Sequence, residues 1–238
     1  MSDQKDVAER ASQLKQDSRD FRDKGDYASA EATLTEAIAL LTPVVEQLTK
    51  TVKQNNQSAE LRQSVHDAAD ELADLQGSLG GILRRQGRLF EALAAYRKGA
   101  ELEQDACYAI DATYNQVQAI VLTVLTQPDL IHARDDAIHA EIDRVSKALL
   151  NILKFARPRD SWARSDLGLL LTLKGDEAGA ETEWRRLDKL NPIRDVYQSG
   201  LSALKDIRAK LIGFAPVEKA VAHFEAALTK LSQRRQRR

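Results

Sequence analysis

The sequence predicts an all-α chain: a solenoid of helical hairpins with long helices inserted between them. Three observations predict it. The chain of 238 residues has only 11 Gly and 5 Pro, is 5% aromatic and 30% charged, and is otherwise rich in Ala, Leu, Gln, Glu, Lys and Arg, a composition that favours helix almost everywhere. Apolar residues return at three- and four-residue intervals along most of its length. One pattern of small and large residues also recurs: Leu79-Gly80, Leu83, Gly87, Ala92, Tyr96 and Gly99 keep the same offsets as Leu167-Gly168, Leu171, Gly175, Ala180, Trp184 and Leu187.

Each element follows from its own stripe. Residues 5–23 form an amphipathic helix through Val7, Ala11, Leu14 and Phe21, broken by Gly25-Asp26. Tyr27 to Leu41 is the next helix, ending before Thr42-Pro43, where Thr42 can cap a third segment and Pro43 occupies its first turn. From Pro43 two routes stay open: one helix to about Gln86, or a break at Asn55-Asn56, which the competition of asparagine side chains for backbone groups favours. Leu79 to Leu102 is a tight hairpin turned at Gly87, which can take a positive φ, with Gly80 and Ala92 allowing the two helices to approach. Asp105 then caps a helix through Tyr108, Val117, Ile120 and Leu125, and after Thr126-Gln127-Pro128-Asp129 a single long helix spans Leu130 to Phe155. Asp160 or Ser161 opens the next hairpin. Trp162 in its first turn suits either a core residue covering the helix end or an exposed anchor. Pro192 starts a helix through Val196, Leu204 and Ile207, and Gly213 and Pro216 separate it from a final helix carrying Val217, Ala220, Val221 and Phe224.

The recurrent pattern resembles the tetratricopeptide repeat, a helix-turn-helix of about 34 residues with a small residue midway along its first helix, Gly at the turn and Ala early in the second helix. Copies fall at 11–44, 73–106 and 161–194, with a degenerate one near 213–235. The first copy keeps the turn and second helix but has Asp17-Ser18 in place of the Leu-Gly pair, and the copies are not contiguous. The resemblance implies a right-handed hairpin solenoid, read here as one domain over residues 1–238. It also implies protein recognition along the concave surface of the first helices.

Composition narrows the alternatives. A formal net charge of −1 gives no general attraction to nucleic acid or anionic membrane. The basic end, residues 228–238 with Lys230, Arg234, Arg235, Arg237 and Arg238, is best read as a solvated helix terminus. A lone cysteine, Cys107, excludes an intramolecular disulfide, and no stretch reads as a signal peptide or membrane span, so the expected location is cytoplasmic. The open ends of a repeat stack leave homo-oligomerisation available.

No catalytic constellation is present. His132, Asp136, His139 and Asp143 share one face of the expected 130–155 helix, a spacing at which neighbours could touch one metal ion. The row flanks the apolar stripe and one straight helix cannot wrap an ion, so a charged helix flank is the expected role. The glycines lack the strand-to-helix setting of a phosphate loop. Neither enzyme activity, metal nor cofactor is expected.

What remains is a surface. Mapped by the resemblance, the concave face carries Lys15, Arg19 and Arg22 in the first copy, Arg84 and Arg85 in the second, and Trp162, Ser165 and Leu169 in the third. The expected ligand is an acidic peptide segment of a partner protein with one or two hydrophobic anchors, making the chain an adaptor or scaffold. The alternative is a regulatory subunit docked through a broad apolar face.

Overall fold

A computed structural model describes residues 2–54 and 58–236, and among them the chain is all-α, with no β-strand. It divides into two compact units, Met1–Leu122 and Thr123–Arg238.

The first unit stacks α1 (Ser2–Asp23), α2 (Tyr27–Gln54), α3 (Ala59–Arg85) and α4 (Leu89–Gln104), each packed on the next, followed by α5 (Tyr114–Thr126), within which the division falls. Its core joins Leu14 of α1 to Leu34, Leu41 and Val45 of α2 and Leu72, Leu75 and Ile82 of α3. The second unit contains α6 (Asp129–His132), α7 (Asp136–Asn151) closed by a π-helical turn (Ile152–Ala156), and the hairpins α8 (Ser161–Lys174) with α9 (Glu177–Lys189) and α10 (Arg194–Lys210) with α11 (Ala215–Gln236).

The turn chemistry repeats. Gly25, Gly87 and Gly175 have φ of +80°, +78° and +83°, and the residue after each closes the helix by donating its N–H five residues back: Asp26 to Phe21, Arg88 to Leu83 and Asp176 to Leu171. This is the Schellman closure, which needs a left-handed residue at the glycine position. The small residue of the first helix has an equally regular use. A Cβ on Gly80 would stand 2.8 Å from three ring carbons of Tyr96, and Gly168 and Gly200 face Trp184 and Phe224 in the same way. The expected partner of Gly80 was Ala92; the close approach is instead between backbone and an aromatic ring. In the first hairpin Ser18 takes the glycine's place, buried, with its hydroxyl donating to the Ala30 carbonyl at 3.1 Å.

Several helix boundaries differ from those read in the sequence. α2 runs unbroken through Pro43. An interior proline costs about 3 kcal/mol, but Leu41 and Val45 on either side of it are buried in one core, and each such side chain contributes roughly 1.5–3 kcal/mol. The continuous α2 is long and apolar enough, by length and composition, to cross a membrane, contrary to the expectation that no stretch is; its apolar face packs into the first unit's core. The break expected at Asn55-Asn56 lies outside the described residues. On either side α2 ends at Gln54 and α3 begins at Ala59, with the Ser58 side chain accepting from the Leu61 N–H.

Residues 105–113 are not helical as expected; Tyr108 lies in a connection whose carbonyl meets the His66 ring at 2.8 Å. The helix starts at Tyr114, where the buried Glu103 carboxylate receives the N–H groups of Asn115 and Gln116. The expected long helix 130–155 is divided: Arg134 has φ +53° and Asp135 caps α7, its carboxylate accepting from Ala137 and Ile138. The apolar face was nonetheless placed correctly, since Ile131, Ile138, Ile142, Val145, Leu149 and Ile152 are all buried.

Candidate partner-binding site

The first helices of the first unit's two hairpins, α1 and α3, line a cleft of about 290 Å³. Its floor is made by residues with little or no side chain, Gly77, Ser78 and Gly81 of α3, beside Ser18 and the apolar Leu34 and Ile82. Interior glycines cost a helix about 1 kcal/mol each relative to alanine. Here neighbouring side chains take up the space they leave: at Gly81 a Cβ would meet the Arg85 guanidinium at 3.3 Å and the Tyr96 hydroxyl at 3.6 Å, and at Gly77 it would meet Asn115 and Tyr114.

The walls are cationic. Lys15, Arg19 and Arg22 come from α1 and Arg85 from α3, against a single lining acid, Asp74. The four cations are not equivalent. Lys15 is tied to Glu71 at 2.8 Å and to Asp74; burial works against its charge, but the two carboxylates together outweigh it and hold the ammonium above the usual lysine range. Arg22 pairs with its neighbour Asp23 at 2.8 Å. Arg19 is exposed and meets no acid among the described residues. Arg85, also exposed, donates one Nη to the Gly81 carbonyl at 3.0 Å and has no acidic partner there either. Both guanidiniums thus keep donor capacity for an incoming anion, and guanidinium forks bind carboxylate or phosphate oxygens with charge-assisted hydrogen bonds.

An aromatic pair closes one side. Tyr114, half exposed, lines the cleft and meets Tyr96 edge-on with ring centroids 6.0 Å apart. Burial pushes the Tyr96 phenol up, opposed by a hydrogen bond with Tyr114 and by the charges of Arg84 and Arg85.

Of the eight residues expected on the binding face, the cleft brings together Lys15, Arg19, Arg22 and Arg85. Arg84 points elsewhere, its Nη1 donating to Gln118 of α5 at 3.2 Å. Trp162, Ser165 and Leu169 belong to α8 in the second unit. There Ser165 and Leu169 are each only 6% exposed, whereas Trp162, in the first turn beside the Asp160 cap, is 45% exposed and is not a core residue. Tyr114 was missed because the chain from Asp105 was read as one helix; the aperiodic stretch CYAIDAT before it was the available sign.

Among the described residues the cleft lining contains no histidine and no cysteine; it sets cationic side chains beside apolar surface. The histidine row considered from sequence is dispersed by the break at Arg134. His132 stands on α6 against the edge of Phe214, while Asp143 of α7 pairs with Lys174. Among the described residues no three His, Cys, Asp or Glu side chains gather where they could hold a metal ion.

No protein-family model and no curated protein matches the chain. Among solved structures it is similar to BtubC from P. vanneervenii, at 14% identity and a TM-score of 0.41 over 95% of this chain and 91% of that one. It is also similar to a tetratricopeptide repeat protein from Parabacteroides merdae ATCC 43184, at 14% identity and a TM-score of 0.33 over 91% of this chain and 99% of that one.

Proposed function

We propose that this chain is a non-enzymatic adaptor that binds an acidic segment of a partner protein in the α1/α3 cleft, with an apolar side chain of the ligand seated against Tyr114. The observation that carries the reading is the convergence of Arg19 and Arg85 from two different helices on one cleft, both without an acidic partner among the described residues. Opposite charge across a concave surface gives specificity and a fast encounter. A cytoplasmic setting belongs to the same reading, as does a resemblance to tetratricopeptide repeats in use as well as in form.

A second reading, a regulatory subunit of a larger assembly, draws on the second unit, where Leu150, Phe155 and Trp162 are 48%, 74% and 45% exposed. Large apolar side chains in the open are a common mark of a protein interface.

The test is a fluorescence-polarisation screen of the full chain against labelled peptides pairing an acidic run with one aromatic or aliphatic anchor, alongside neutral and basic controls. Selective binding of the acidic set, weakened at least tenfold in an Arg19→Ala/Arg85→Ala variant with unchanged helicity, supports the cleft. Equal binding of acidic and basic peptides, or binding that survives the double substitution, removes it.

A further inference from the structure

Resting on that reading, we propose that the group the cleft selects is a phosphorylated serine or threonine side chain of the partner segment rather than a carboxylate alone. The argument is one of donor placement. A carboxylate offers two oxygens in one plane, which a single guanidinium fork satisfies. In this cleft the guanidiniums come from two helices, Arg19 and Arg22 from α1 and Arg85 from α3. A phosphate monoester presents three terminal oxygens arranged tetrahedrally and carries nearly two negative charges at neutral pH, so it can accept from guanidiniums of both helices at once.

Charge accounting points the same way. Lys15 and Arg22 already have acidic partners, leaving Arg19 and Arg85 as the two lining cations without one among the described residues. A dianion meets both. The cleft, of about 290 Å³, also has room for the larger group. Among the described residues Arg85 is held there through the Gly81 carbonyl, and its remaining N–H groups can turn onto a bound oxygen. The one lining carboxylate, Asp74, is occupied by Lys15, so its repulsion of a phosphate is partly cancelled.

The probe is a set of labelled acidic nonapeptides with a hydrophobic anchor, each made with serine, phosphoserine or aspartate at its centre, titrated against the full chain. The phosphoserine form is expected to bind at least about tenfold more tightly than the serine and aspartate forms, the effect of one or more added charge-assisted hydrogen bonds. Arg19→Gln and Arg85→Gln should each abolish that ratio while leaving weak binding of the unmodified peptide, and Arg85→Lys should recover only part of it, since lysine keeps the charge without the fork. Helicity of each variant is checked by circular dichroism; Arg19→Lys supplies a second, milder substitution should a glutamine variant fail to fold.

Four results overturn the proposal. If the three peptide forms bind alike, the cleft recognises acidic segments without selecting phosphate, and the adaptor reading stands. If the preference persists in the folded double variant, the phosphate sits elsewhere. If inorganic phosphate competes as strongly as the phosphopeptide, the site takes the free ion and not a modified partner. Binding of none of the peptides removes the adaptor reading together with this one.

Discussion

Gly80 shows how a single absent side chain organises a hairpin. The ring of Tyr96, itself 1% exposed, lies where a Cβ would be, so Gly80→Ala must shift a buried ring. Overpacking of this kind costs about 1–3 kcal/mol, reduced by the better helix propensity of alanine; a net loss of about 1–2 kcal/mol is expected in urea denaturation, and Tyr96→Leu in the same chain should remove most of it. Glu103 gives a residue-scale pH dependence. Burial raises its carboxyl above the ordinary 4.5 even though the N–H groups of Asn115 and Gln116 and the Asn115 side chain oppose the shift. A proton is therefore held more tightly in the folded than in the unfolded chain, and the associated stability is complete below about pH 4.5 and lost as pH rises through the higher folded value. Denaturation series from pH 4 upward should show wild type losing ground to Glu103→Gln as pH increases; parallel curves would exclude the effect. These two sites were unequally legible. The glycine pattern at Gly80 and Gly168 was visible as a recurrence, but Glu103 gave no sign, because its role depends on a nonhelical connection that brings residue 115 back over α4.

At the scale of elements, α2 and α7 teach opposite lessons about breakers. Pro43 stops nothing, because the apolar stripe continues in phase across it and burial on both sides outweighs the missing hydrogen bond. Replacing it tests this directly: Pro43→Ala should raise stability by about 1–3 kcal/mol, the interior proline penalty less the entropy that proline removes from the unfolded chain, and denaturation midpoints would show it. A destabilised variant would mean that the proline is itself required by the packing of α2. In α7 the break comes without Pro or Gly, at Arg134-Asp135, where an aspartate cap competes successfully with helix continuation. Periodicity recognises which face is buried far better than it recognises where a helix stops. That is why Ile131, Ile138 and Ile142 were assigned correctly to a core while the helix drawn through them was not one helix. Of the candidate positions, Lys15, Arg19, Arg22 and Arg85 on α1 and α3 line one cleft and Arg84 does not, whereas the phase of α8 leaves Ser165 and Leu169 buried.

For the molecule as a whole, occupancy of the cleft should be visible as stability. A peptide that binds only the folded chain adds about 2.7 kcal/mol at a hundredfold excess over its Kd. The added protection should appear in hydrogen exchange as slower opening of α1 and α3 amides, the two helices that supply most of the lining; unchanged exchange there at saturation would place the ligand elsewhere. The distribution of aromatic residues makes a complementary optical experiment possible without any label. The chain has two tryptophans, Trp162 on α8 and Trp184 on α9, both in the second unit, while the cleft is lined entirely from the first. Neither indole is among the residues that line the cleft. A spectral change on adding a cleft ligand would show that the second unit responds to it, at the half-exposed Trp162 or at Trp184 buried against Gly168.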